Sequence, residues 1–234
     1  MVCAVAGALA GGGADTAAAA DPADPAELER FRPHPVITEV LFNVPKGDAG
    51  DATRDGSRHP TGDEFVELLN PHDHPVNLAG YTITNRLTTY DPDTSRGVRF
   101  TFPDLTLEPG AAAVLFNGHD QRIPGPTGDA DAPPPAPNPH FHHAWVFRID
   151  PGSRNRAFSN AGDFVLLSAP DGEPIDAVWW GDCDPPPPER SLRVVEVDDD
   201  PDGSVRRPGP LADPEGPTDD DDAVATPGSV ASGE

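Results

Sequence analysis

Proline and glycine set the first limit on what this chain can fold into. There are 31 prolines and 23 glycines among its 234 residues. Proline removes a backbone donor and clashes with the preceding turn of a helix, so a chain punctuated this densely favours short strands between turns over long helices. The clearest strand pair lies in residues 62–83, GDEFVELLNPHDHPVNLAGYTI. Alternation there puts Val66 and Leu68 on one side and Phe65, Glu67 and Leu69 on the other. Asn70, Pro71, His72 and Asp73 carry turn chemistry. Val76, Leu78, Tyr81 and Ile83 then resume the apolar pattern, with Gly80 breaking it before the second strand.

Further strands are predicted at residues 36–42 (VITEVLF), 98–102 (VRFTF), 111–116 (AAAVLF), 144–149 (AWVFRI) and 191–197. Residues 164–168 and 174–180 form a hairpin around Asp171 and Gly172. Residues 43–63 and the proline-rich 119–140 read as polar surface excursions. Seven to eight short strands predict an all-β chain, an antiparallel β-sandwich. The expected division is a lead-in at 1–33, a sandwich at 34–197 and an acidic, largely disordered tail at 198–234.

The chain carries 40 acidic against 16 basic side chains, a net charge of −24. Such a surface repels phosphates and anionic membranes, which argues against nucleic acid as a partner. Residues 1–20 are small and weakly apolar, ending in four alanines before Asp21. They resemble the remains of a secretory signal, although Asp15 interrupts them and no Lys or Arg precedes them. They are too short and glycine-rich to span a bilayer. The expectation is a secreted or cell-envelope-associated protein. The cysteines are Cys3 and Cys183; losing the N-terminus would leave no intrachain disulfide, and their number excludes a zinc site built on cysteine.

The order of motifs resembles the lamin-tail domain found in exported prokaryotic proteins. The matching positions begin with Ile37, Glu39 and Val40, then Glu64 to Leu68 and Asn70, then Val76, Leu78, Gly80, Tyr81 and Ile83. They continue with Phe100, Phe102 and Pro103, with Leu107, Pro109 and Gly110, with the Ser159, Asn160, Gly162, Asp163 hairpin, and with the closing Thr226-Pro227-Gly228. The resemblance implies an immunoglobulin-like β-sandwich, no catalytic residues, no cofactor, and a role in binding protein or surface-polymer partners. The chain departs from the pattern in its two long loops and in lacking an aromatic before the closing TPG.

Several residue groups invite functional readings beside structural ones. Glu39 and Glu67 sit mid-strand among apolar residues; if their strands are neighbours the two carboxylates meet on one face, where such pairs can share a proton, recruit arginine, bind a cation or serve a hydrolase; the structural alternative is an ion pair with an arginine such as Arg86 or an exposed sheet face. Asp198, Asp200, Asp202 and Gly203 form the first half of a calcium loop, but its twelfth position is Gly209 rather than glutamate; the alternative is a solvated acidic tail. His140, His142 and His143 could present imidazoles to zinc or copper from one strand face, or simply end a polar loop. His72, Asp73 and His74 read as a displayed turn. Trp179 and Trp180 end a strand, so one should face the core and the other a partner or a sugar; together with acidic loops this allows a calcium-dependent carbohydrate-binding module. Ser159 and Ser191 lack the His and Asp context of a nucleophile.

Overall fold

A computed structural model describes residues 31, 33–149, 156–197, 203–207 and 226–228. Residues 1–30, which hold the signal-like segment and Cys3, lie outside them, as do Asp198, Asp200 and Asp202. The described residues form an immunoglobulin-like β-sandwich. Twelve strands occur in order: β1 Val36–Leu41, β2 Phe65–Leu69, β3 Val76–Asn77, β4 Thr82–Thr84, β5 Arg99–Thr101, β6 Thr106–Leu107, β7 Ala112–Phe116, β8 Trp145–Arg148, β9 Gly162–Ser168, β10 Pro174–Gly181, β11 Arg193–Val197 and β12 Val205–Arg206. One helical turn, Arg86–Tyr90, follows β4 and is closed by a capping box between Asn85 and Thr88.

The first sheet has the order β12-β1-β2-β7-β8 and the second β11-β10-β9-β4-β5; β3 and β6 make a small separate ribbon. The inner pairings are antiparallel, as the short turns predict. Two edge pairings are parallel, β7 with β8 and β10 with β11. Each of these strands is reached by a long crossover, through residues 117–144 and 182–192 respectively, which is the connection parallel pairing requires.

Alternation sends Val66, Leu68, Ala113, Leu115 and Phe147 from the first sheet into the core between the sheets. Val165, Leu167, Ile175, Val178 and Trp180 meet them from the second. Strand β1 carries a register shift between Ile37 and Glu39. This bulge at Thr38 turns Ile37 inward together with Val40 and Phe42, while Glu39 and Leu41 face out. Asp176 on β10 ties the sheets together: its Oδ2 accepts from the Ile37 N–H at 2.9 Å and from Arg207 Nη2 at 3.2 Å, in a pair with no exposed side-chain surface.

The loops at 43–63 and 118–143 do not run over the surface as the sequence suggests. Val44, Ala52 and Phe141 from these segments, with Ala144 just after the second, cover the outer face of the first sheet, where Leu41, Phe65, Val114, Phe116 and Val146 form a second apolar core. This explains why every residue of β2 and β7 is buried. The sandwich also reaches past residue 197, because β12 pairs with β1 and residues 226–228 pack on it.

Trp180 is fully buried, stacks on Phe42 with centroids 3.8 Å apart at 8°, and donates from Nε1 to the Ser159 carbonyl at 2.8 Å. Truncation at such a site costs about 3–5 kcal/mol. Trp180→Ala is therefore expected to lower the unfolding free energy by that amount, read from the urea midpoint at an unchanged slope.

Candidate functional site

The residues that looked most like chemistry meet on the outer face of the first sheet. In the β1–β2 register Glu39 stands directly opposite Glu67, and each is 1% exposed. Ionised carboxylates this deep need donors. Thr38 Oγ1 donates to Glu67 Oε1 at 2.7 Å and the Gly228 N–H to Glu67 Oε2 at 2.7 Å. Glu39 Oε1 accepts from Ser204 Oγ at 2.5 Å and from the Thr226 N–H at 2.9 Å, and Oε2 from Thr226 Oγ1 at 3.0 Å. Arg206, paired with Glu39 across β12, donates to Thr226 Oγ1 at 2.7 Å. The TPG segment is thus a strap laid across two carboxylates.

Burial raises the pKa of Glu39 against the pull of these donors. Burial, reinforced by the Glu39 charge, pushes Glu67 up to about 8. Gly228 has φ +87°, and a side chain there would stand 2.1 Å from the Phe141 carbonyl oxygen, so only glycine lets the strap pass beneath that loop. The pair is neither bonded to Arg86 nor exposed, so both structural alternatives read from the sequence are corrected. Arg86 donates its backbone N–H to Asp163 and its guanidinium to the Asp184 carbonyl. A hydrolase would need these carboxylates to face substrate, and the strap occupies that side.

The other signature residues hold the framework in the same way. Asn70 donates to the His74 and Leu107 carbonyls, each at 2.9 Å, and accepts from the His72 N–H. Asp163 accepts from the Arg86, Phe164 and Ser159 N–H groups and from Asn85 Nδ2. Glu64 accepts from the Phe158 N–H and Asn117 Nδ2, and burial lifts its pKa well above the usual range.

The predicted binding residues divide. His72 is buried, 4% exposed, with Nε2 against the His34 carbonyl at 2.7 Å, so it is not displayed; Asp73 is exposed and His74 half-exposed beside it. Trp180 belongs to the core, while Trp179 lies half-buried on the outer face of the second sheet with Phe164, Leu166, Ala177 and Cys183. Around that group stand Tyr90, 47% exposed, and Val194, 43% exposed, with Leu87 on the same helical turn as Tyr90. Tyr90 meets Phe164 edge-on at 6.2 Å, and Val194 is the β11 partner of Ala177. Sequence reasoning pointed to one of the two tryptophans but missed the neighbours of Trp179, because the two valines at 194 and 195 give no alternation signal. Burial, with Asp163 nearby, pushes the Cys183 thiol up to about 11, which suppresses its reactivity.

The metal reading at His140, His142 and His143 does not hold. They occupy a 3₁₀ turn and two left-handed positions rather than one strand face, and all three are exposed. His59, His119 and Asp120 lie close together. However, His59 Nδ1 accepts the Thr61 and Gly62 N–H groups at 3.2 and 2.8 Å, which leaves its proton on Nε2, the nitrogen a metal would need.

A two-sheet immunoglobulin-like sandwich, with its signature side chains spent on internal hydrogen bonds, is the class this architecture defines. The family model described as Lamin Tail Domain matches residues 32–182, and the chain belongs to that family. No curated protein matches it. Among the described residues no helix is long and apolar enough to cross a membrane.

A carboxyl whose folded pKa lies above its unfolded value holds extra protons in the native state. The Glu67 contribution is full below its usual 4.5 and is lost as pH rises through about 8. The melting temperature is expected to fall between those values, and Glu67→Gln, which cannot ionise, to flatten the slope. Parallel pH profiles of the two proteins check this; identical slopes would remove Glu67 from the account.

Proposed function

We propose that this chain is a non-enzymatic extracellular interaction module that docks a protein or surface polymer on the outer face of its second sheet. The observation that carries this reading is the contrast between the two outer faces. The first is roofed by its loops and the strap, whereas the second leaves Trp179, Tyr90 and Val194 partly open around Phe164 and Leu166. Aromatic side chains in such a patch are the usual anchors of protein interfaces. The net charge of −24 favours cationic or neutral partners over nucleic acid and anionic lipid. Secretion rests on the composition of residues 1–20.

A carbohydrate-binding reading narrows to Trp179, the tryptophan with ring surface still available on that face. It requires that soluble glycans compete for the same patch.

Capture of cell-envelope components on immobilised full-length chain tests the proposal. Trp179→Ser combined with Val194→Asp is expected to cut capture at least tenfold, within the range of interface anchors, in a protein whose cooperative melt, at a somewhat lower temperature, shows that it remains folded. Capture unchanged by the double variant, or no capture by either protein, would count against this face.

A further inference from the structure

Open sheets end in edge strands, whose outward N–H and C=O groups stay unpaired unless something covers them. On the first sheet the β8 edge is closed by the long loop before it. The Gly128 N–H donates to the Val146 carbonyl at 2.9 Å, and the Gly128 carbonyl accepts the Arg148 N–H at 3.0 Å. On the second sheet β5 is the edge strand beside β4. Phe100 stands opposite Ile83, the Phe102 N–H donates to the Tyr81 carbonyl, and the Val98 carbonyl accepts the Asn85 N–H. Residues 98, 100 and 102 therefore spend their backbone groups on β4, and the pleat turns those of Arg99 and Thr101 the other way. Both residues are exposed, and among the described residues nothing pairs with their backbone N–H and C=O groups.

A short free edge is common by itself. Here a built groove lies beside it. A cavity of about 490 Å³, within the size range of ligand sites, is lined by Arg99, Phe100 and Thr101. Its floor is apolar, since Phe100 and Ile149 are each 3% exposed. Its far lip is the turn at 129–131, which continues directly from the Gly128 cap and is fixed by Asp129 Oδ1 accepting the Asp131 and Ala132 N–H groups at 2.9 and 3.1 Å. Two charges in the groove are unspent. The Arg99 guanidinium is tied back to the Thr88 carbonyl, but the half-buried Arg156 guanidinium and the Asp131 carboxylate have no hydrogen bond or ion pair among the described residues.

We infer that this groove takes an extended segment of a partner protein, which pairs with β5 as a sixth strand of the second sheet, sets a carboxylate on Arg156 and a basic side chain beside Asp131, and covers the floor with an apolar one. In strand addition the main chain supplies affinity and alternate side chains supply specificity. A segment with one charge of each sign satisfies both unspent groups, whereas a wholly acidic one meets Asp131 and the net charge of −24. A second copy of this chain fits less well. β5 has three residues, so edge-to-edge pairing would form few hydrogen bonds between two strongly acidic bodies, and a groove with a far lip admits a single strand more readily than a folded domain. The groove is separate from the outer face of the second sheet, because neither Trp179 nor Val194 lines it.

The test selects from a displayed library of linear octapeptides on the immobilised full chain; enriched sequences are made with capped ends and titrated by calorimetry. They are expected to lack proline at their centre and to carry one acidic and one basic residue. On binding, the amides of Arg99 and Thr101, which exchange fast in the free chain, are expected to slow at least tenfold. Thr101→Pro removes an outward donor and leaves the β4 pairing intact, so it is expected to weaken binding about tenfold or more while Phe100 keeps its protection. Arg156→Glu is expected to lose the same peptides and to regain binding when their acidic residue is replaced by lysine. No enrichment over a blank surface would overturn the inference. So would peptides indifferent to Thr101→Pro, or binding lost only in the Trp179→Ser, Val194→Asp double variant, which would place them on the outer face. A concentration-dependent dimer that Thr101→Pro abolishes, with Arg99 and Thr101 already protected in the absence of peptide, would overturn it in favour of a second copy. Each of these failures leaves the outer-face interaction to be judged by its own capture experiment.

Discussion

Two glutamates facing one another across adjacent strands, in an almost water-free layer, govern how this molecule is put together. Glu39 and Glu67 are unfavourable by themselves, since burial and mutual repulsion both oppose their charge. What makes the arrangement tenable is a set of donors drawn from distant parts of the chain: Thr38 at the bulge, Ser204 before β12, and Thr226 and Gly228 more than 150 residues away. A pair that must be satisfied this way specifies where the end of the chain goes. Residues that composition assigns to a loose acidic tail become part of the sandwich.

The strap and the two long loops then decide which surface is available. They turn the outer face of the first sheet into a second core, with Phe141 and Ala144 packed on Phe116, Val114 and Val146. Among the described residues, the outer face of the second sheet receives no such roof, apart from the turn carrying Tyr90 and the segment around Cys183. The asymmetry follows from loop placement rather than strand composition, and it directs the functional reading to Trp179 and its neighbours.

Much of the fold was legible because the signals are local. Alternation placed Val66, Leu68 and Ile83 in the core, and the turn residues located the β9–β10 hairpin. The ordered motifs marked the family, and the closing TPG was visible as a motif although its partners were not. Side chains whose role depends on distant contacts were harder to read. Nothing in the pattern IDAVWW says that Asp176 bridges the sheets to Ile37 and Arg207, or in VITEVLF that a bulge reverses the facing of Ile37. The polar loops looked solvated because their few apolar residues, Val44, Ala52 and Phe141, are widely spaced. His72 looked like turn chemistry, and is, but its ring turns inward to the His34 carbonyl.

The claim that the strap is an integral part of the fold is tested most directly by removing it. A chain ending at residue 225 loses three hydrogen bonds to buried carboxylates, each worth on the order of 1–3 kcal/mol when its acceptor is left unsatisfied. The account predicts a clear fall in melting temperature at pH 7, together with faster amide exchange in β1 and β12 than in the β9–β10 hairpin. A truncated chain that melts where the full chain does, with β1 equally protected, would contradict it.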